Sequence, residues 1–209
     1  MQNQTVRPFI NKVKKTCNNK KIKFLLSKHS VVNAKECATS GFFDSGSRYL
    51  SVAKGRLPIS NWLPVLVHEY SHVEQEIDND KTFFTEIKDE SAEYILDMFL
   101  MGKRKLSYKQ LTLAVDKIVA CEHNCEIRSI KNISKHKLPI DKVKYIKQAN
   151  SYLFYYYFIR EIKQWIPANI APYYQDYIVD NMPSHFLTFS QYKKQYKKYS
   201  HLFKTVYGF

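Results

Sequence analysis

Apolar residues in this chain first occur in short runs and then, from about residue 60, at helical spacing, so the pattern predicts a few strands followed by helices. Pro8 to about Lys15 fits a short basic helix, and Lys21 to Leu26 and Ser30 to Val32 fit short strands. Gly41-Phe42-Phe43 and Tyr49 to Ala53 flank Asp44-Ser45-Gly46-Ser47, whose turn chemistry predicts a β-hairpin. From Asn61 a stripe of Leu63, Leu66, Tyr70, Val73 and Ile77 marks a helix. Ser60 or Asn61 can cap it, Pro64 is tolerable in its first turn, and Asp78-Asn79-Asp80 ends it. A second helix is expected from about Thr85 to Met101, stopped by Gly102. A third opens at the capping-box pattern Ser107-x-x-Gln110 and runs to about Ile133. A fourth, long and aromatic, runs from Pro139-Ile140-Asp141 to about Trp165, and short helices follow Pro167 and Pro172 to Phe209.

The expected fold is therefore α+β: a mostly helical body with a small N-terminal antiparallel β-sheet. One domain is expected over residues 1–209, with strands mostly in 1–56, a helical core in 60–166 and a C-terminal helical segment in 167–209.

Composition narrows the function. Only 5 of 209 residues are Gly, and neither G-x-G-x-x-G nor G-x-x-x-x-G-K occurs, which argues against nucleotide-binding α/β folds. The formal charge is +14, which suits nucleic acid, an anionic surface or an acidic protein. The cations are mostly Lys, so bidentate Arg readout of bases is not the obvious design, and the bias to Lys, Asn, Ile, Tyr and Phe equally suits an AT-rich genome. The N-terminus MQNQTVRPFINKVKK has no apolar signal segment, and no stretch approaches a membrane span, so a cytoplasmic protein is expected. Cys17, Cys37, Cys121 and Cys125 fit that compartment as free thiols.

His68-Glu69-Tyr70-Ser71-His72 is an H-E-x-x-H motif, which this composition would produce by chance about 0.01 times. Two His at i and i+4 share one helix face and can reach one metal ion. Glu69 can then accept a proton from water activated by a zinc ion. His68 and His72 lie off the apolar stripe, on a face shared with Val65, Glu69 and Glu76. A catalytic zinc site takes three protein ligands, and the third helix offers a carboxylate. Its stripe of Leu111, Val115, Ile118, Cys125 and Ile133 has Glu122 at its centre and Glu126 at its edge. A carboxylate facing a core is costly unless paired. Glu90, Glu93 and Asp97 of the second helix gather on a polar face that reads as solvated, and His123 points about 100° away from Glu122.

These residues resemble the zincin metallopeptidases, in particular the gluzincin group in a compact, minigluzincin-type form. The resemblance implies that Glu122 is the third zinc ligand and Glu126 the acid that supports a ligand histidine. Most of the chain also resembles a set of uncharacterised metallopeptidase-like proteins of phage genomes. Matching stretches are Leu66 to His72, Glu122-x-x-Cys125-Glu126-x-Arg128, Ala149-Asn150-Ser151-Tyr152 and Met182-Pro183-Ser184-His185. For a phage protein the compartment would be the host cytoplasm. Asp89-Glu90-Ser91-Ala92-Glu93-Tyr94 faintly resembles the glutamate segment of ImmA/IrrE-like peptidases, which would make Glu90 the ligand. SprT-like proteases share H-E-x-x-H and a basic surface but take a third histidine from a His-Gly segment, which this chain lacks.

The resemblance implies a zinc-dependent peptidase acting on polypeptides, with His68, His72 and Glu122 on the metal and Glu69 as general base. His185 is a candidate to stabilise the oxyanion, as a distal His or Tyr does in many zincins. The alternative is a basic module that binds nucleic acid or protein and keeps a structural or vestigial metal site. Tyr152 to Phe158, and Tyr192, Tyr196, Tyr199 and Phe203 among lysines, read either as a stacking surface for nucleic acid or, preferably, as an aromatic packing stripe.

Overall fold

A computed structural model describes residues 3–34 and 37–209. The architecture is α+β and mostly helical, and the chain forms two compact units. The first takes residues 1–83 and 125–141, the second residues 84–124 and 142–209. Among the described residues no helix is long and apolar enough to cross a membrane.

The first unit opens with α1 (Asn3–Asn19), about twice the length expected. Val6, Phe9, Val13 and Cys17 recur at spacings of three and four and are buried together, so tertiary packing sustains a helix rich in weak formers. Burial pushes the Cys17 thiol up to about 11. The strands are β1 (Lys23–Ser27), β2 (Val32–Ala34), β3 (Cys37–Thr39), β4 (Gly41–Asp44) and β5 (Tyr49–Ala53). The hairpin expected between β4 and β5 is present, with Phe43 opposite Leu50, and its turn is held by Asp44, which accepts from the Gly46 amide and the Ser47 hydroxyl.

The three-stranded sheet has the order β1-β5-β4, and β1 pairs with β5 in parallel, so this sheet is mixed rather than wholly antiparallel. The strand order accounts for the difference: β5, the returning arm of the hairpin, lies between β1 and β4, antiparallel to β4 and parallel to β1. Leu50 and Val52 are fully buried on β5, and α2 (Ile59–Ile77) packs across β4 and β5. Its expected stripe holds, with Leu63, Leu66, Tyr70 and Val73 at or near zero exposure.

The second unit is helical: α3 (Ala92–Leu100), the first part of α4 (Tyr108–Lys135), α5 (Lys142–Ile162), α6 (Asp176–Asp180) and α7 (Phe189–Tyr207). α3 begins later than the pattern suggests. Lys88 and Asp89 both have positive φ (53° and 70°) and turn the chain between bridged Ile87 and Glu90, before the Ser91 side chain caps the helix. Ser107 and Gln110 make the expected capping box at the start of α4. The last helix is not short. Thr188 and Gln191 form a second capping box, and Gly208 ends α7 at φ 74°, the left-handed conformation that glycine adopts without strain.

The core of this unit is aromatic. Seven consecutive α5 residues, Leu153 to Ile159, are buried, as in a helix enclosed on all sides. Tyr192, Tyr196, Tyr199 and Phe203 of α7 are buried against them, so these rings pack in the core and offer no stacking platform.

Candidate metal centre

The site is built within the first unit from the middle of α2 and the last part of α4. Ser71 and Ser129 set the helix contact: the Ser71 hydroxyl donates to the Val67 carbonyl and accepts from the Ser129 hydroxyl at 3.0 Å. Both serines are fully buried. Arg128 fixes the far end by donating to Asp78 at 2.6 Å and Asp80 at 2.9 Å, just beyond α2. Burial acts to raise the Asp80 pKa, but bonds from the Thr82 hydroxyl and amide and from Arg128 outweigh it and hold the carboxyl below its ordinary value. A lowered folded-state pKa contributes stability above the unfolded-state value, and that contribution is lost as pH falls through the folded-state value. Asp80→Asn is accordingly expected to shallow the fall in melting temperature below about pH 4, as read by thermal melts across an acid series.

The motif helix carries His68 and His72 on one face, with ring centroids 4.8 Å apart and ring planes at 87°. His68 Nδ1 lies 3.0 Å from Glu126 Oε1, and His72 Nδ1 lies 2.8 Å from Gln75 Oε1. Carboxylate and amide oxygens accept hydrogen bonds, so each Nδ1 donates a proton. Metal-binding histidines commonly tie their second nitrogen to an oxygen acceptor in this way. Burial alone would lower the His68 pKa, but Cys125 and Glu126 beside it hold it well above its ordinary value. The site therefore favours positive charge at this imidazole.

His68, His72 and Cys125 present ligand atoms within 4.8 Å of one another, a group that could hold a metal ion. Cys125 Sγ sits 3.7 Å from His68 Nδ1 and 3.3 Å from the His68 carbonyl, to which it donates. It therefore lies on the Glu126 side of the ring. Glu69 is half-buried on α2, next to β4. A Cβ on Gly41 would come within 2.6 Å of Val65 Cγ1 and 3.3 Å of Glu69 Cγ, so only glycine lets the strand run this close to the glutamate.

The other residues singled out from the sequence lie in the second unit. Glu122 is one turn before Glu126 on α4 and half-buried. Its charge acts on Tyr156, whose phenol is held well above its ordinary value by burial first, then by Tyr152, Glu122 and Glu93. Glu90 accepts from Arg104 at 2.8 Å. His123 packs its ring on Tyr192 and Phe186. His185 is exposed, and its backbone carbonyl accepts from Asn150, which also donates to the Pro183 carbonyl and accepts from the Tyr192 hydroxyl. Asn150 thus joins the Ala149-Asn150 and Pro183-Ser184-His185 stretches.

Gln75 was not among the sequence candidates, although it is fully buried and holds His72. Its signal is a polar residue three positions after the second motif histidine, where it shares a helix face with that histidine. Gln75→Leu keeps the volume and removes the acceptor. It is expected to weaken metal affinity about 10–100-fold with little change in fold, measured by competition with a chromogenic chelator.

Compared with known proteins, the chain matches no protein-family model, no curated protein and no solved structure.

Proposed function

We propose that the protein is a zinc-dependent metallopeptidase. The observation that supports this best is the pair of motif histidines one helical turn apart, each with its Nδ1 tied to an oxygen acceptor, in a group whose ligand atoms lie close enough together to hold a metal ion. Imidazole donors with a carboxylate suit zinc.

In this reading His68 and His72 hold the ion, Glu122 is the third ligand that the gluzincin resemblance implies, and Glu126 orients His68 through Nδ1. Zinc in such a site supplies Lewis acidity, acidifying water and polarising the peptide carbonyl. Glu69, one residue after the first ligand, takes the proton of the attacking water and delivers it to the leaving amine. The outer edge of β4 offers main-chain groups to which an extended peptide can add as a strand. His185 stays a candidate for the oxyanion. The thiol of Cys125, which donates to the His68 carbonyl, is the competing candidate for the third ligand.

Metal analysis of purified protein tests the assignment. One zinc per chain is expected in the wild type and in Cys125→Ser. His68→Ala, His72→Ala and Glu122→Gln should lose most of it. Zinc retained by Glu122→Gln and lost from Cys125→Ser would make the thiol the third ligand, and loss from Glu90→Ala alone would move that role to Glu90. A wild type that binds no metal would leave the basic binding module as the better reading.

A further inference from the structure

A groove of about 670 Å³ lies in the first unit between α1 and the segment from Lys54 to Trp62. The proposed chemistry does not use it. Ile10 and Leu57 give it apolar surface over the buried Trp62, while Arg7, Asn11 and Lys54 are exposed along it. The Lys54 ammonium sits 5.6 Å from the centre of the Trp62 ring. Among the described residues no acid lines the groove.

The charged side chains of its lining are of one sign. Ahead of Glu36, the first acid in the chain, stand Arg7 and eight lysines. Arg7, Lys14 and Lys15 project from the same exposed side of α1 as Asn11 and Asn18. α2 begins after Pro58 with no side-chain cap, and Ile59 in its first turn lines the groove. The start of the helix carries partial positive charge from its aligned backbone dipoles. Apolar surface, exposed cations and an uncapped helix start therefore meet at one place.

We propose that this groove captures an acidic, amphipathic segment of the polypeptide substrate. Apolar side chains would lie along Ile10 and Leu57, with carboxylates against Arg7, Lys54 and the start of α2. The role in substrate capture rests on the peptidase reading above. Ile59 precedes His68 by nine residues, about 13 Å along α2 and about half a turn around it, so extended chain needs more than about four residues to join them. The acidic segment therefore lies more than about four residues from the scissile bond. Nucleic acid fits less well, because Trp62 is only 3% exposed and offers no face for a base.

The test uses a fluorescently labelled peptide that alternates Leu and Glu, a matched peptide with Gln for Glu, and a labelled DNA duplex. Binding is measured on Glu69→Gln protein, where turnover does not interfere, with circular dichroism to verify folding. The acidic peptide should bind, and affinity should fall at least tenfold for the Gln peptide and for added Arg7→Gln/Lys54→Gln. Lys14→Gln/Lys15→Gln, on the same helix outside the groove, should bind normally. Equal losses in both double variants would mean diffuse charge and overturn the proposal. So would duplex binding that depends on Arg7 and Lys54 without peptide binding. Wild-type cleavage of polypeptides with no peptide binding overturns the groove and leaves the peptidase reading standing. Peptide binding by a protein that cleaves nothing supports the groove's ligand chemistry and overturns the peptidase reading.

Discussion

The Glu69→Gln protein is expected to lose polypeptide hydrolysis about 10²–10⁴-fold while keeping its metal. That range is what a positioned general base contributes. Glutamine keeps the length and shape of glutamate, so the close packing of Gly41 against Glu69 and the two histidine hydrogen bonds should survive. What disappears is the ability to accept a proton. Paired measurements, zinc content and cleavage of an unfolded polypeptide, separate the two effects. Unchanged cleavage in a zinc-loaded Glu69→Gln protein would mean that the activity does not come from this site.

Phe158→Ala is expected to destabilise the protein by about 3–5 kcal/mol, the range for removing a buried aromatic ring. Phe158 is fully buried, stacked on Phe203 and Tyr207 with the Phe209 ring edge-on. Its neighbours are rings anchored on α7 and the C-terminus, which cannot easily collapse into the space a missing ring leaves. A whole protein is stable by only about 5–15 kcal/mol, so a large share of the margin is at stake. Equilibrium denaturation should show the loss, with Phe158→Leu costing far less.

Periodicity made the motif helix legible, because Leu63, Leu66, Tyr70 and Val73 repeat at a helical period and the histidines fall off that stripe. The β4–β5 hairpin was legible from its turn residues. The parallel pairing of β1 was not, since alternation along a strand carries no information about its neighbour's direction. The delayed start of α3 was hidden because Lys88 and Asp89, not glycine or asparagine, take the positive-φ positions. The length of α7 was legible but missed, as Thr188-x-x-Gln191 is the same start signal used at Ser107-x-x-Gln110. At the site the spacing pointed to a carboxylate on the third predicted helix. The hydrogen bond from His68 to Glu126 depends on how two helices meet and is invisible in either helix alone.

The paired serines where α2 meets α4 act as a ruler. Ser71 stands three residues after His68, and Ser129 stands three residues after Glu126, so two marks on each helix coincide with two on the other. One residue gained or lost between Glu126 and Ser129 would leave the serines in contact but swing the carboxylate about 100° around its helix axis, off the imidazole. Insertions and deletions are thus barred from that short stretch of α4. Bulkier side chains at 71 or 129 would spread the two marks apart and part Glu126 from His68 long before the protein unfolds.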